Sequence, residues 1–229
     1  MKQFSLPIFE NLCPGWEAIK HLGIRHSYQK GCQIYDLQSP VNGVYLVESG
    51  LVEIVLYTPT GPEKVLYYVG PGCIFGEVGC FVSGDTGEAR IQARSDCSAY
   101  FFGRETIEGV IAREHPQLLI ELIRTSAYKI RMFAVLLRDS LTGDVFQRVC
   151  RTLVYLVEYR GVLPQPGFQG LAVQPGLSQT DLARLLGIHR VTLTKVINRL
   201  KNERVIKRFT KNRLEILDFE RLNQIANAE

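Results

Sequence analysis

The pattern of apolar and turn-forming residues changes once along the chain, near Arg104, and this change limits the folds that the sequence can adopt. Before it, short runs rich in β-branched and aromatic residues occupy 44–47, 51–56 and 64–69. Turn-forming residues separate these runs, at 39–40, 49–50, 59–62 and 70–72. Many short strands at this spacing are typical of a β-barrel or jelly roll. The periodicity after Arg104 is helical, so we expect an α+β protein whose N-terminal half is a β jelly roll.

A long helix is predicted to follow the strands. Pro116 suits the first turn of a helix, and neither glycine nor proline occurs from there to Arg138. Apolar or small residues recur at steps of four and three, at Leu119, Ile123, Ser126, Ile130, Phe133 and Leu137. This is the a/d pattern of a coiled coil, so we predict that these six residues form a dimer interface. A second set widens the apolar face and predicts packing on the chain's own barrel as well: Leu118, Leu122, Ala127, Ala134 and Leu136.

The end of this helix divides the chain. Thr142 and Gly143 interrupt the pattern, and Asp144 suits the N-cap of a second amphipathic helix that runs to about Tyr159. A loop at 161–167 and a short strand near 171–173 follow. We therefore expect three parts, at 1–115, 116–140 and 141–229.

Two short helices joined by a glycine turn are predicted within 177–200. Ser178 and Asp181 have the spacing of a capping box at the start of the first helix. Gly187 suits the left-handed residue that ends it. Leu193, with three more apolar residues in helical register, holds the second helix on the core. Strands at 204–210 and 213–217 around Lys211 and Asn212 complete a winged helix-turn-helix.

The predicted outward residues of this motif suit contact with DNA. They are Ser178, Gln179, Thr180, His189, Arg190, Val191, Thr192, Thr194, Lys195 and Asn198. Arginine forks onto guanine, asparagine pairs with adenine, and threonine or valine packs on a thymine methyl group. The first three residues begin a helix, where backbone N–H groups suit a phosphate. Residues 140–229 hold 14 Lys/Arg and 8 Asp/Glu, net +6, which favours the same acidic partner.

With these motifs in order, the chain resembles the CRP/FNR family of transcription regulators over nearly its full length. The resemblance rests on 30–35, 44–54 and 75–79 in the first half, followed by the long helix and the winged helix. It implies a cyclic-nucleotide-binding-type jelly roll that senses an effector at 1–115, a dimerisation helix at 116–140 and a DNA-binding domain at 141–229. The implied protein is homodimeric, with an inverted-repeat operator in double-stranded DNA, RNA polymerase and a small-molecule effector as partners. We expect it to be cytoplasmic, because the sequence has neither a signal-peptide core nor an apolar membrane span. An activator role is also implied.

The ligand cassette departs from the cyclic-AMP pattern of the family. Nucleotide-binding members hold the ribose with a Gly-Glu pair, present here as Gly76 and Glu77, and the phosphate with an Arg-Ser pair. Alignment on Ala93 and Cys97 places Gly87 and Glu88 at the Arg-Ser positions. A carboxylate there repels a phosphate, and strand alternation turns the nearby Arg90 to the other face. The cofactor and effector are therefore unidentified, and cyclic AMP is not expected.

The family contains three other kinds of sensor, which place different demands on the sequence. Iron–sulfur sensors need an N-terminal cysteine cluster, whereas only Cys13 is present there. A haem sensor needs an axial ligand, for which His26, His115, Cys73 and Cys80 are available. Within the family, the sequence most resembles the halorespiration regulators, which bind a halogenated phenol. The shared features are residues 64–68, Lys129 and residues 187–192. The candidate effector-binding residues are Tyr67, Tyr68, Gly76, Glu77, Val78, Gly79, Cys80 and Lys129.

Several alternatives stay open for these residues. Lys129 either pairs with an organic anion or is a solvated flank of the coiled coil. Strand alternation favours one core tyrosine and one outward tyrosine for Tyr67 and Tyr68. Most cysteines are expected to be core thiols, with Cys13 in a polar, mobile lead-in segment as the exception.

A haem- or thiol-based gas or redox sensor of the same family is an alternative within this class, and two other classes of function remain. One is a DNA-binding protein that needs no effector. The other is an enzyme, which the sequence disfavours because it has no Ser/His/Asp order, phosphate loop or metal-ligand spacing. No apolar run approaches the roughly 18–20 residues of a membrane span, and no metal site is predicted.

Overall fold

The computed structural model describes residues 7–36, 42–56, 64–82, 89–141, 144–163 and 169–228. It divides into two compact units, Pro7–Ile130 and a second that begins at Arg131. The fold is α+β, as predicted. Gly87 and Glu88, the turns at 39–40 and 59–62, Thr142, Gly143 and most of the 161–167 loop lie outside the described residues.

The first unit contains two β-sheets that face each other. One has the order β1-β6-β5-β8-β3, and the other has the order β2-β9-β4-β7. The strands are β1 (Ile8–Phe9), β2 (Ile24–Tyr28), β3 (Gln33–Asp36), β4 (Gly43–Ser49), β5 (Val52–Leu56), β6 (Lys64–Val69), β7 (Ile74–Phe75), β8 (Ala89–Ala93) and β9 (Cys97–Gly103). Neighbouring strands are antiparallel, apart from the parallel β1–β6 pair, among the residues described.

Register determines which side chains enter the barrel. Tyr45 pairs with Phe75 and Phe101, and its ring stacks on Phe75 with 4.9 Å between centroids. Tyr35 reaches from the opposite sheet to within 6.0 Å of the Tyr45 ring. The interior between the sheets is therefore aromatic. The outer face of the second sheet forms a separate core with helical segments, which includes Val44, Leu46, Ile74, Phe102, Trp16, Leu118 and Leu122.

Helices flank the sheets of this unit. A 3-10 helix, Pro14–Leu22, precedes β2. Helix α1 (Glu77–Phe81) follows β7, and a helical stretch of α2 (Arg104–Thr106), the π-helix Ile107–Ile111 and α3 (Ala112–Glu114) follows β9. The long α4 (Pro116–Leu141) begins at the predicted proline and ends three residues beyond Arg138.

The two apolar faces of α4 have different exposure. Leu118, Leu122, Thr125, Lys129 and Met132 are buried. The predicted dimer stripe lies one residue later along the helix: Ile123, Ile130, Phe133 and Leu137 are exposed, and Leu119 and Ser126 are half-buried. Of the second predicted set, Leu118 and Leu122 are buried and Leu136 is half-buried, whereas Ala127 and Ala134 face solvent.

The second unit is a winged helix. Its helices are α5 (Val145–Arg160), α6 (Gln179–Leu186), α7 (Arg190–Asn202) and α8 (Phe219–Ala226), around a sheet of order β10-β12-β11. Those strands are β10 (Leu171–Val173), β11 (Ile206–Thr210) and β12 (Arg213–Ile216). Asp144 and Ser178 are the predicted N-caps, and each forms a capping box, which the sequence predicted for Ser178 alone; Gly187 ends α6 with φ 63°.

Two expectations for individual side chains are wrong, for Cys13 and for the tyrosine pair, and one open alternative is decided, for Lys129. Cys13 is fully buried at the start of the 3-10 helix and is not in an exposed lead-in, whereas Cys32 is exposed. Tyr67 and Tyr68 are both buried, because both faces of β6 are covered. Lys129 is buried as well, which excludes a solvated flank. No helix in the described part of the chain has both the length and the apolarity of a membrane span.

Candidate DNA-binding surface and effector site

Helices α6 and α7 form a tight pair in which the turn is held by backbone hydrogen bonds. Gly187 takes the left-handed conformation that the turn needs, and the Ile188 N–H donates to Ala183 O at 3.0 Å. The Thr194 hydroxyl donates to Gln179 Oε1 at 3.3 Å and so joins the two helices. Four buried residues then hold α7 on the core: Leu193, Val196, Ile197 and Leu200.

The opposite face of α7 presents most of the predicted base-reading side chains. His189, Arg190, Val191, Lys195 and Asn198 are exposed, and Val191 keeps 67% of its accessible surface. Thr192 and Thr194 are half-buried. The Thr194 hydroxyl shares its one proton between Gln179 Oε1 and Arg190 O, which is the nearer acceptor at 3.0 Å, so it is used within the helix pair. The structure therefore brings five exposed candidates together near the beginning and middle of one helix.

The start of α6 is less open than the sequence suggests. Ser178 Oγ accepts from the Asp181 N–H at 3.2 Å, and Asp181 Oδ2 accepts from the Ser178 N–H at 2.9 Å. The Ser178 side chain is thus engaged in capping, and the buried Asp181 carboxylate adds negative charge at this helix terminus. Of the three predicted phosphate contacts, Thr180 is the exposed one, whereas Ser178 and Gln179 are half-buried.

The wing contains a buried carboxylate that sequence reasoning missed. Glu215 lies on β12 and is 4% exposed. Its Oε1 accepts from Arg213 Nε at 2.7 Å, and its Oε2 lies 3.7 Å from Arg208 Nε. Glu215 therefore orders two arginines of the basic wing. The feature that could have indicated this role is the position of Glu215 directly opposite Arg208 in the β11–β12 hairpin.

In the barrel unit, two of the predicted effector residues, Glu77 and Tyr67, meet around the ammonium group of a third, Lys129. Lys129 Nζ donates to Glu77 Oε1 at 2.6 Å and to Ile74 O at 2.8 Å. It also lies 5.4 Å from the centroid of the Tyr67 ring, over its face. Lys129 is 4% exposed, so this is a buried ion pair between the long helix and the cassette that follows β7.

The electrostatics of this cluster keep the lysine charged. Burial alone lowers the pKa of Lys129, but the attractions of Glu77, Tyr67 and Cys73 and the hydrogen bond to Glu77 together outweigh it, and the net pKa is raised. Burial raises the pKa of Tyr67 to about 12, against the opposing influence of Lys129. Burial, and then the Glu77 charge, raises the pKa of Tyr35. The tyrosines are therefore neutral phenols at physiological pH.

Glu77 is placed by a glycine that no other residue replaces easily. Gly76 precedes α1 with φ 97°, and a Cβ atom there would lie 3.2 Å from Gly43 O and 3.5 Å from the Tyr35 hydroxyl. Tyr35 therefore borders the same site, although sequence reasoning did not select it. The period-two alternation of β3 is the signal that could have found it.

The other predicted effector residues lie elsewhere. Tyr68 pairs with Glu53 on the opposite face of β6 from Tyr67, and Cys80 lies in the outer core with Trp16. Val78 is exposed and lines an apolar groove of about 560 Å³ between α1 and α4. Gly79 is half-buried within α1. These side chains do not join Lys129 in the barrel.

The candidate ligands for haem are separated from one another. His26 is exposed on β2, and His115 is half-buried at the end of α3. Cys73 and Cys80 are buried. Among the described residues, no group of three or more His, Cys, Asp or Glu side chains is arranged to hold a metal ion.

Comparisons with known proteins match both the barrel unit and the winged helix. Residues 25–114 match the family model described as Cyclic nucleotide-binding domain, and residues 147–225 match the Crp-like helix-turn-helix domain. The chain belongs to the CRP/FNR family of transcription regulators. The CRP/FNR architecture accounts for the order of sensor barrel, long helix and winged helix in one chain.

Individual CRP/FNR relatives cover most of the chain. The CRP-like cAMP-activated global transcriptional regulator of Mycobacterium tuberculosis is 29% identical over 172 residues, 74% of either chain. A CooA mutant from Carboxydothermus hydrogenoformans has a TM-score of 0.79 at 21% identity, over 92% of this chain and 90% of that one. CprK complexed with OCPA has a TM-score of 0.80 at 18% identity, over 96% and 99%.

The buried ion pair generates a stability prediction. Lys129→Met leaves the Glu77 carboxylate buried without its cation and should lower the free energy of unfolding by about 3–5 kcal/mol. The double variant Lys129→Met/Glu77→Met should recover much of that loss, because apolar groups of similar volume replace the pair. Urea unfolding followed by the fluorescence of Trp16, the sole tryptophan, which lies in the core between the outer face of the second sheet and the helices, measures this directly.

Arg25→Met is the matched control, because Arg25 and Glu48 form an exposed pair at 2.8 Å in the same unit. Its midpoint should stay near that of the wild type, since exposed pairs contribute little. A wild-type midpoint for Lys129→Met would contradict the assignment.

Proposed function

We propose that this chain is a homodimeric transcription regulator that binds an inverted-repeat operator and is gated by a small-molecule or redox effector in the barrel. The observation that carries the proposal is the exposed face of α7, which groups two cations, an imidazole, an amide and a valine beside a basic wing. A helix of this kind enters the major groove with its N-terminal residues on the base edges.

The base contacts follow from where the side chains lie on α7. His189 is the N-cap and Arg190 the first residue of the helix, so both are at the end that enters the groove. We assign both to base edges, with Arg190 on guanine. Val191 takes the place of an acidic residue carried by cyclic-AMP-type members and packs on a thymine methyl group. The half-site should therefore be richer in A·T pairs than theirs.

A second copy of the chain is the partner that suits α4. The helix has 26 residues, about 39 Å at 1.5 Å per residue, and exposes its stripe along most of that length. The apolar groove between α1 and α4 shares Ile123, Ser126 and Ile130 with the stripe. A parallel partner helix would cover both, and its two-fold symmetry would place two α7 helices in successive major grooves about 34 Å apart.

Gating is supported by the position of Lys129 in sequence and in space. Lys129 immediately precedes Ile130 of the stripe, and its ammonium group donates hydrogen bonds to Glu77 and Ile74 in the cassette. An effector that changes the Lys129–Glu77 pair would therefore turn or shift α4 at the dimer seam. Because Glu77 already balances the lysine charge, an acidic effector must displace Glu77, whereas a neutral aromatic one needs only the tyrosine-lined interior.

Operator selection tests the DNA-reading assignment. Sites selected from a random pool by the wild type should converge on an inverted repeat. Arg190→Ala should relax one position of each half-site and cost about 1–3 kcal/mol there. Lys195→Ala should do the same if Lys195 reads a base. If Lys195 holds a phosphate, the loss should be even across sequences and the salt slope should drop by about one.

Lys201→Ala is the control, because Lys201 is exposed near the C-terminal end of α7. It should leave the selected sequence unchanged. A wild-type consensus without two-fold symmetry, or an unchanged consensus for Arg190→Ala, would refute the docking.

Assembly is tested by charge on the stripe. Ile130→Glu/Phe133→Glu should give monomers that lose operator binding, because four carboxylates would meet at the seam of the dimer. The control is Arg124→Glu/Arg131→Glu, at exposed positions one residue after Ile123 and Ile130. Light scattering measures the mass of each variant. If the stripe variant remains a monodisperse dimer, the proposed dimer interface on α4 is contradicted.

A further inference from the structure

Cys13 and Cys73 form a buried thiol pair at the place where the chain enters the barrel unit. The Cys13 N–H donates to Gly72 O at 2.8 Å, which brings the two backbones together. Both side chains are fully buried, and the two thiols lie close enough that each shifts the pKa of the other. The Cys73 thiol also donates to Ile74 O at 3.8 Å, the carbonyl that accepts from Lys129, and neither cysteine belongs to the DNA-binding surface.

The two thiols have unequal surroundings. The Cys13 sulfur lies 3.1 Å from the hydroxyl of Thr125, which faces it from α4. The hydrogen bond from Cys73 and that from Thr125 lower the pKa of Cys13, with support from Lys129 and against burial and Glu121. The hydrogen bond with Cys13, burial and Glu77 raise the pKa of Cys73, against Lys129. Cys13 is thus the nucleophilic sulfur, and Cys73 keeps its proton.

We propose that Cys13 and Cys73 are an oxidation-sensitive dithiol, anchored to α4 through Thr125, that closes to a disulfide when hydrogen peroxide reaches it. The Cys13 thiolate attacks one peroxide oxygen, the O–O bond breaks, and the departing hydroxide takes a proton to become water. The Cys73 sulfur then attacks the Cys13 sulfenic acid. The S–O bond breaks, and hydroxide leaves with the Cys73 proton as a second water. Two thiols lose two electrons in total, and one peroxide is reduced to two waters.

Because both cysteines are buried, only a small oxidant can reach their sulfur atoms. A molecule as small as hydrogen peroxide needs only a local opening of the segment over the sulfurs. That segment is the 3-10 helix Pro14–Leu22, a short and weakly bonded type of helix. It is tied to α4 through the Trp16 Nε1–H to Leu118 O, at 3.2 Å, and through the Gly15 N–H to Glu121.

Oxidation would act on the same helix as the effector site. Oxidation turns the Cys13 sulfur that contacts Thr125 from a thiol or thiolate into a disulfide sulfur, which donates no hydrogen bond and accepts only weakly, and so loosens the attachment of α4 one helical turn before Lys129. The disulfide chemistry itself is independent of the proposed DNA binding, so the two proposals fail separately.

Thiol mapping on the full reduced chain tests the proposal. The protein is exposed to hydrogen peroxide in its native state, denatured in N-ethylmaleimide, digested and analysed by mass spectrometry. The wild type should yield a linked Cys13–Cys73 peptide that is two hydrogens lighter than the two thiol peptides. In Cys73→Ser, dimedone should trap Cys13 as the sulfenic acid.

Thr125 supplies the variant that separates the proposed role from general reactivity. Thr125→Val should slow formation of the linked peptide severalfold, and Thr125→Ser should restore the wild-type rate, because it keeps the hydroxyl. Cys32→Ser and Cys150→Ser are controls that should not change the rate, since Cys32 is exposed and Cys150 lies in the other unit.

Two results would overturn the inference. One is recovery of Cys13 and Cys73 as alkylated thiols after an exposure that oxidises Cys32. The other is equal rates in the Thr125→Val variant and the wild type, with the wild-type linked peptide appearing only after denaturation.

Discussion

The arrangement of the barrel unit depends on one buried ammonium group. Lys129 reaches from α4 to the Glu77 carboxylate and to the Ile74 carbonyl, both of which belong to the cassette around β7 and α1. A buried cation is tolerated only with a counter-ion and satisfied hydrogen bonds, and this site provides both. The interaction therefore fixes the rotation of α4 about its own axis relative to the cassette.

That rotation decides which apolar residues of α4 remain exposed. With Leu118, Leu122, Thr125 and Lys129 turned inward, the adjoining row that contains Ile123 and Ile130 is turned outward. Since successive residues of a helix lie about 100° apart around its axis, the buried row and the exposed row occupy different faces of α4. A change in the contacts of the ammonium group would thus move the exposed row of α4 that lies within one helical turn of it. This is the physical basis of the proposed gating.

Much of this organisation was predictable from sequence because it depends on local chemistry. Pro116 starts α4, Asp144 and Ser178 cap their helices, and Gly187 ends α6, since each residue suits the backbone at its own position. The outward face of α7 followed from helical periodicity. The long-range contacts did not follow from sequence. Lysine is usually solvated, and nothing local to Lys129 indicates that Glu77, 52 residues away, provides a buried partner.

The remaining errors have the same origin. Alternation correctly places Tyr67 and Tyr68 on opposite faces of β6, but it does not tell whether both faces are covered. Cys13 follows polar residues in sequence, and its burial depends on Thr125, which is 112 positions further on. Glu215 resembles an ordinary strand carboxylate until its pairing with Arg208 and Arg213 is known.

The central claim is that the barrel pair and operator binding are coupled. Fluorescence anisotropy with the selected operator tests it most directly, on Lys129→Met/Glu77→Met and on the exposed-pair control Arg25→Met/Glu48→Met, at concentrations where both are dimers. If the two are coupled, the buried-pair variant should differ from the wild type in operator affinity by about 5–150-fold, and the control should not. An unchanged operator affinity in a folded, dimeric buried-pair variant would contradict the account.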